Sequence, residues 1–200
     1  AMSTRSRSAL AQVAMFARNF VQHPKMVGSV IPSSHFLVRR MLRAVPWSQA
    51  RVLVEYGPGT GVFTTEILRR MRPDATLVAI ELNPDFVAFL GRTIRDPRLR
   101  LVAGSAAEVS AILAELHLGP ADCIISALPY TTMPPAMRQA IFQATHRVLR
   151  PRGAFLVLQF SPVLRAELAR VFPRIHLAFE PLNLPPAFIY RCVREARLPH

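Results

Sequence analysis

Short apolar runs and amphipathic stretches alternate along the chain from residue 51 onward. Apolar runs such as 77–80 predict strands, and the stretches between them repeat apolar positions at helical spacing. We expect strands at about 51–56, 76–81, 98–103, 121–127 and 153–160, with helices at about 61–72, 84–95, 105–116, 134–149 and 162–172. This order is typical of an α/β protein with a parallel sheet and helices on both faces.

The end of the chain breaks this alternation. Strand-like segments at 175–179 and 188–193 are joined by a proline-rich connection with no room for a helix. Two strands joined in this way form an antiparallel hairpin. The pattern therefore predicts a Rossmann-like, seven-stranded, mostly parallel sheet that ends in an antiparallel hairpin.

The first 45 residues have a different pattern. Residues 8–21 repeat apolar positions at i, i+3 and i+4, which predicts an amphipathic helix, and a serine-containing loop then leads to a second helix at His35–Leu42. The apolar face of the first helix could pack on the domain or enter a lipid headgroup region. We expect residues 1–45 to form a basic helical extension or lid and residues 46–200 to form one domain.

The composition limits the functional classes. No apolar run approaches the roughly 20 residues of a membrane-spanning helix. The amino-terminal stretch makes a poor secretory signal, so we expect residence in the cytoplasm. Cys123 and Cys192 fall inside predicted strands without metal-ligand spacing, so we expect no metal and two reduced core thiols.

Positive charge is concentrated at the beginning of the chain. The net charge is +13, and residues 1–54 contain eight basic side chains and no acidic one. Such a segment attracts a polyanion, either nucleic acid or an anionic membrane surface.

The most informative motif is E-Y-G-P-G-T-G at 55–61, directly after the first predicted strand. Its three glycines stand at alternate positions, where a ligand can approach bare backbone. Glu81 ends the next predicted strand, where a carboxylate can bind a ribose diol. The glycine register differs from that of the dinucleotide fingerprint. Glu55 would repel a pyrophosphate, but it suits a ligand that carries an ammonium group.

These residues, followed by V-A-I-E-L, resemble the cofactor motifs of class I S-adenosylmethionine-dependent methyltransferases over residues 51–194. The resemblance implies S-adenosyl-L-methionine as cofactor and S-adenosyl-L-homocysteine as product. It assigns Glu55 to the methionine ammonium, Glu81 to the ribose and Leu82 to the adenine face. The complete implied cofactor set is Glu55, Gly57, Pro58, Gly59, Gly61, Glu81, Leu82, Ser105, Ala106 and Ser126.

The segment S-A-L-P-Y at 126–130 is similar to the N-L-P-Y element of ribosomal RNA adenine dimethylases. Those enzymes hold the target amine with an asparagine, and this chain has Ala127 at that position. The carboxyl-terminal helical domain of those enzymes is also missing from this sequence. RNA methylation is therefore the less favoured alternative, and nucleic acid is not the expected partner.

The basic amino terminus, H-P-K-M-V-G-S-V-I-P-S-S, the glycine motif and I-S-A-L-P-Y together resemble the bacterial phospholipid N-methyltransferase family. The resemblance implies methylation of phosphatidylethanolamine towards phosphatidylcholine, with ornithine lipid as the alternative substrate. It also implies peripheral association with the anionic inner face of the cell membrane, without an obligate protein partner. Candidate headgroup or membrane contacts are the basic residues Arg5, Arg7, Arg18, Lys25, Arg39, Arg40 and Arg43.

Methyl transfer to an amine requires a neutral amine, because a protonated one has no lone pair. Tyr130 and His35 are the candidate proton acceptors. Tyr130 could equally pack over the cofactor or headgroup, and His35 could be a surface residue. A membrane-binding protein with a relic cofactor pocket is a third interpretation, which intact Glu55 and Glu81 disfavour.

Overall fold

The computed structural model describes residues 35–181, 183 and 185–196. Helices and strands alternate along the described chain, with six α-helices and seven strands. The helices are α1 (His35–Leu42), α2 (Val62–Arg70), α3 (Pro84–Thr93), α4 (Val109–Glu115), α5 (Pro135–Val148) and α6 (Arg165–Ala169). The strands are β1 (Val52–Tyr56), β2 (Thr76–Glu81), β3 (Leu99–Ala103), β4 (Ala121–Ser126), β5 (Leu149–Gln159), β6 (Arg174–Glu180) and β7 (Ala187–Val193).

All seven strands form one sheet in the order β3-β2-β1-β4-β5-β7-β6. Strands β1 to β5 pair in parallel, whereas β7 pairs antiparallel with both β5 and β6. The predicted α/β fold, the seven strands and the final hairpin are confirmed. The chain crosses from β1 outward to β3 and then back to β4, so the carboxyl ends of β1 and β4 lie side by side at a switch point.

Each face of the sheet carries its own buried cluster. One cluster joins the sheet to α4, α5 and α6 through Ile112, Phe142 and Leu168. The other joins it to α1 and α2 through residues such as Met41 and Ile67. Helix α1 is amphipathic, and its apolar side is part of the domain core.

Two predicted helices are broken in the structure. The segment predicted as 105–116 begins with a 3₁₀ turn at Ala106–Glu108 before α4, and the segment predicted as 162–172 begins with a 3₁₀ turn at Pro162–Leu164 before α6. Strand β5 starts four residues before its predicted start at 153 and contains a register shift against β4.

The predicted helix at 8–21 lies outside the described residues. Among the helices that the structure describes, none is long and apolar enough to cross a membrane. Cys123 and Cys192 are buried and free, and burial raises the pKa of each thiol to about 12.

Candidate active site

The turn between β1 and α2 depends on glycine backbone conformations. Gly57, Gly59 and Gly61 have φ angles of 66°, 55° and 85°, in the left-handed region that other residues rarely adopt. Gly57 is anchored to the neighbouring strand, because its amide donates to the Ile80 carbonyl at 2.9 Å. A Cβ added at Gly59 would meet no atom within 4 Å, so the turn leaves open space at its tip.

Glu55 is buried at the carboxyl end of β1. Its Oε2 accepts a hydrogen bond of 2.7 Å from the Thr64 hydroxyl in the first turn of α2. Desolvation raises the pKa of Glu55 to about 7; the Thr64 hydrogen bond opposes this rise, and the negative charge of Glu81 adds to it. The carboxylate is therefore costly to keep ionised in the absence of a cation.

Glu81 is buried at the end of β2, the strand next to β1. Its carboxylate links two loops: Oε2 accepts from the Gly59 amide at 3.1 Å, and Oε1 accepts from the Asn83 amide at 2.8 Å. Asn83 also caps α3, because its side chain accepts from the Asp85 amide at 2.9 Å. Glu81 is thus held against the tip of the glycine turn.

Neither Glu55 nor Glu81 forms an ion pair with any residue that the structure describes. Two buried carboxylates on adjacent strands create a region of negative potential that favours a cationic ligand. S-adenosylmethionine carries an ammonium, a sulfonium and a ribose diol, and the open space at Gly59 admits a ligand close to the backbone. The residues present therefore fit this cofactor, with Glu55 and Glu81 as its polar anchors.

Leu82 and Ser105 stand at the two predicted adenine positions. Leu82 is 45% exposed directly after Glu81, as expected for an apolar side chain available to a flat ring. Ser105 instead forms a capping box: its hydroxyl accepts from the Ala107 amide at 3.2 Å, and Glu108 accepts from the Ser105 amide at 3.2 Å. The S-A-A-E spacing signals this cap in the sequence. The contact of Ser105 with adenine stays a prediction. Ala106 is buried beside it.

Ser126, the last residue of β4, and Tyr130, in the turn that follows, are fully buried. Their hydroxyl groups share a hydrogen bond of 2.8 Å, and the Tyr130 ring lies 5.1 Å from that of Phe142. Burial raises the pKa of the Tyr130 phenol well above its usual value, so the phenol is a poor proton acceptor. The structure therefore favours the packing role for Tyr130. The side chain of Ser126, a predicted cofactor ligand, lies in the core against Tyr130.

His35, the other candidate proton acceptor, is the first residue of α1, and its side chain lies outside the described part of the structure. Arg39 and Arg43 are exposed on or just after α1. Arg40 differs, because its Nε lies 3.1 Å from the Glu180 carboxylate, which compensates its charge. The side chain of Arg40 remains 39% exposed, and its contact with a lipid headgroup stays a prediction. The remaining predicted basic contacts, Arg5, Arg7, Arg18 and Lys25, lie outside the described residues.

Two side chains that the sequence analysis missed hold the loop after β4. Arg138 of α5 donates to the carbonyls of Met133 at 2.7 Å and Tyr130 at 3.3 Å. The same guanidinium binds both carboxylate oxygens of Glu167, at 2.8 and 2.6 Å. No local sequence signal marks this contact, because its partners are up to 29 positions apart.

The second missed residue is Gln159, which is buried at the end of β5 and donates to the Leu128 carbonyl at 2.7 Å. A polar residue after the apolar run 154–158 is a signal that could have identified it. Together, Arg138 and Gln159 fix the loop that faces the glycine turn across the switch point.

The sheet order, the glycine turn and the two acidic strand ends define a class I methyltransferase fold. Comparison with known proteins agrees: residues 53–153 match the methyltransferase domain family. An ornithine lipid N-methyltransferase of Singulisphaera acidiphila is 34% identical over 89% of this chain and 94% of its own length. The chain belongs to the methyltransferase family, and it is an S-adenosylmethionine-dependent methyltransferase.

Other relatives match less completely. Ribosomal RNA small subunit methyltransferase A of Acidithiobacillus ferrooxidans is 32% identical over 75% of this chain, which spans 49% of that protein. Among solved structures, the N-methyltransferase NodS of Bradyrhizobium japonicum has a TM-score of 0.67 at 14% identity, covering 83% of this chain and 98% of NodS. NodS has also been solved with S-adenosyl-L-homocysteine bound. The similarity to NodS establishes the fold.

Proposed function

We propose that this enzyme N-methylates the amine headgroup of a membrane lipid and that ornithine lipid is its preferred substrate. The observation that carries the proposal is the match to an ornithine lipid N-methyltransferase over 94% of that protein's length. The match to the ribosomal RNA methyltransferase covers only 49% of that protein's length. Ornithine lipid therefore moves ahead of phosphatidylethanolamine, the substrate that the sequence analysis put first.

The two headgroups pose the same chemical problem. Each presents a primary amine beside an anionic group, which is a carboxylate in ornithine lipid and a phosphate in phosphatidylethanolamine. Bound S-adenosylmethionine supplies the methyl group from a sulfonium, which is already a good leaving group. The task left to the protein is to orient a neutral amine and to exclude other nucleophiles.

The loop after β4 supports such an orienting role through its backbone. Carbonyl groups of Leu128, Pro129 and Tyr130 already accept hydrogen bonds within the described structure. Ala127 is exposed at the end of β4, and its carbonyl accepts no hydrogen bond from the described residues. We infer that the Ala127 carbonyl receives an N–H of the substrate amine. Because this contact needs no ionisable side chain, the amine releases its proton to water.

Exposed apolar side chains support a membrane position for this edge of the sheet. Phe160 is 48% exposed just after β5, Val163 is 64% exposed in the following turn, and Phe179 is 48% exposed near the end of β6. The rings of Phe179 and Phe188 are in contact, with their centroids 5.0 Å apart and their planes tilted by 38°. We infer that these residues enter the headgroup region of an anionic membrane, to which the net charge of +13 attracts the protein.

The test of the substrate is transfer of radiolabelled methyl from S-adenosylmethionine. Three acceptors are offered in parallel: anionic vesicles with ornithine lipid, the same vesicles with phosphatidylethanolamine, and unmodified ribosomal RNA. We expect label in the ornithine lipid arm at a rate at least tenfold above the phosphatidylethanolamine arm. Preferential labelling of phosphatidylethanolamine would restore that headgroup as the substrate. Label only in RNA would overturn the lipid assignment.

The test of the membrane surface is co-sedimentation with anionic vesicles at low salt. The double variant Phe160→Ser/Phe179→Ser is expected to bind at least fivefold more weakly than the parent. The control is Phe89→Ser on α3, which removes an apolar ring that is 40% exposed on the opposite side of β1. Equal losses in both variants would contradict the assignment of this edge to the membrane.

A further inference from the structure

A polar cavity lies at the amino edge of the sheet, where the parallel strands begin, on the side opposite the glycine turn. It has a volume of about 290 Å³ and lies between the segment before β1 and the first half of β5. Its wall contains three arginines and a single acidic residue. The charged lining residues are Asp122, Arg150, Arg152 and Arg191.

The acidic residue of this cavity is already compensated. Asp122 Oδ2 accepts from the backbone amides of Arg51 at 2.7 Å and Val52 at 2.8 Å. Asp122 Oδ1 lies 2.6 Å from Arg150 Nε. Both carboxylate oxygens are therefore engaged by groups that belong to the scaffold, and Arg150 is oriented by this contact.

The other two arginines have no such partner. Arg152 and Arg191 are exposed, and neither forms an ion pair with any residue that the structure describes. They approach the cavity from different strands, Arg152 from the start of β5 and Arg191 from β7, which pairs antiparallel with β5. Two uncompensated guanidinium groups at one cavity create a positive potential that favours an anion.

The backbone holds Arg152 in an unusual conformation. Its φ angle of 64° lies in the left-handed region, although it is not a glycine. Backbone hydrogen bonds hold this conformation on both sides, because the Arg152 amide donates to the Arg194 carbonyl at 2.8 Å and the Gly153 carbonyl accepts from the Arg194 amide at 3.0 Å. Arg152, which lines the cavity, is therefore held in a strained backbone conformation.

We propose that this cavity binds a phosphoryl oxyanion through Arg152 and Arg191, with Arg150 held beside them by Asp122. A guanidinium group offers paired N–H donors that match phosphate oxygens, and donors from two strands can grip one group from two sides. The ligand is either free phosphate or the phosphomonoester headgroup of a lipid. The site does not depend on the identity of the methyl acceptor.

Isothermal titration of the full chain with inorganic phosphate, in a low-salt buffer without phosphate, tests the site. The variant Arg152→Gln/Arg191→Gln removes two charges and keeps a non-glycine residue at position 152, where φ is positive. Its matched control is Arg92→Gln/Arg95→Gln, which removes two charges from exposed residues at the end of α3. We expect one phosphate per chain, weakened at least tenfold by the cavity variant and less than twofold by the control.

A second arm separates the two ligand sources. Vesicles containing phosphatidic acid are tested for binding to the parent and to both double variants. If the cavity variant alone loses vesicle binding and phosphate competes with the vesicles, the ligand is the lipid headgroup. If phosphate binding depends on the cavity but vesicle binding does not, the ligand is free phosphate. Absence of saturable phosphate binding, or an equal loss in the control variant, would overturn the proposal.

Discussion

Buried carboxylates lie at the amino edge of the sheet, where the parallel strands begin, and at the carboxyl edge, where they end. The groups that surround them differ between the two edges. At the amino edge, Asp122 has two backbone amides and the Arg150 guanidinium around it. At the carboxyl edge, Glu55 has one hydroxyl partner, and Glu81 adds a second negative charge nearby. The comparison separates a carboxylate that stabilises the scaffold from carboxylates that are reserved for a ligand.

The difference lies in charge compensation: all three carboxylates are buried, and Glu81 also accepts from two backbone amides, but of the three only Asp122 faces a cationic side chain among the described residues. A buried charge without a partner destabilises the folded chain, and a ligand that brings the missing cation recovers that energy on binding. We therefore expect substitutions at the amino edge to affect folding and substitutions at the carboxyl edge to affect ligand affinity. The following predictions test this division, beginning with the largest effect.

Asp122→Ala is expected to lower the free energy of unfolding by about 3 kcal/mol, because it leaves two backbone amides without their acceptor and Arg150 without its ion-pair partner. For a chain of this size the loss corresponds to roughly 6–12 °C in Tm. Circular dichroism during heating measures the loss. At 10 °C, where the variant is expected to stay folded, the Kd for S-adenosylhomocysteine should stay within twofold of the parent. A large loss of affinity at that temperature would contradict the division between the edges.

Glu55→Gln is expected to weaken cofactor binding while it stabilises the folded chain, which is the opposite pattern from that of Asp122→Ala. Loss of the carboxylate should raise the Kd for S-adenosylmethionine about 100-fold at pH 8, or roughly 2.7 kcal/mol. The variant should nevertheless unfold at a higher temperature than the parent at that pH. Titration calorimetry and thermal unfolding are the two measurements.

The sign of the stability effect follows from the pKa of Glu55, which burial raises from an ordinary 4.5 to about 7. The folded chain then binds the proton more tightly than the unfolded chain, so parent stability falls as pH rises from about 4.5 to 7. The penalty reaches about 3 kcal/mol above pH 7 and is absent below pH 4.5. The Tm advantage of Glu55→Gln should therefore be present at pH 8 and largely lost at pH 5.

Glu66→Gln on α2, the helix that follows the glycine turn, is the matched control for this pH dependence. Hydrogen bonds from Arg69 and Arg70 lower the pKa of Glu66 to about 2, the opposite shift from that of Glu55. Its ionisation stabilises the folded chain above the ordinary carboxyl pKa, so neutralisation should not raise the Tm at pH 8. If both variants gained Tm at pH 8, a general effect of replacing glutamate by glutamine, rather than the burial of Glu55, would be responsible.

The sequence predicted the cofactor half of the molecule well because its determinants are local. Apolar runs define β1 and β2, and alternate glycines permit the positive φ angles of the turn between β1 and α2. A carboxylate at the end of a parallel strand necessarily lies at the carboxyl edge. The positions of Glu55 and Glu81 could therefore be derived without knowing any distant contact.

The acceptor half could not be predicted in the same detail. Every residue of β4 is buried, so the pattern of polarity does not reveal which way Ser126 faces. The core position of Tyr130 depends on Phe142, and the compensation of Asp122 depends on residues 70 and 71 positions away. Such contacts are fixed by tertiary packing and leave no local pattern in the sequence.

Two alanine substitutions in the glycine turn distinguish a position that supports the fold from one that faces the cofactor. Gly59→Ala and Gly57→Ala both place a side chain at positive φ, which costs about 1 kcal/mol of stability in each. At Gly57 the added Cβ would also lie 2.5 Å from Leu128 Cδ2, whereas at Gly59 it enters the open space. We expect the larger fall in Tm for Gly57→Ala.

The methyl group of Gly59→Ala would stand where a cofactor approaches the backbone. Its Kd for S-adenosylhomocysteine is expected to rise at least tenfold, although its Tm falls less than that of Gly57→Ala. Thermal unfolding and equilibrium binding of both variants measure the two effects. If Gly59→Ala bound the product as tightly as the parent, the open space at the tip of the turn would not belong to the cofactor site.

Tyr130→Phe gives the smallest expected effect and tests whether a buried phenol takes part in the chemistry at this edge. The substitution removes the 2.8 Å hydrogen bond to Ser126 while the ring contact with Phe142 remains. We expect about 1 kcal/mol less stability, a kcat within threefold of the parent, and a pH–rate profile of unchanged shape. The readout is methyl transfer to lipid vesicles between pH 6 and 9. Loss of the rise in rate towards high pH would identify the phenol as a proton acceptor, because a base is active only when it is deprotonated. The carboxyl edge would then hold a buried polar group that acts on the substrate as well as two carboxylates that bind the cofactor.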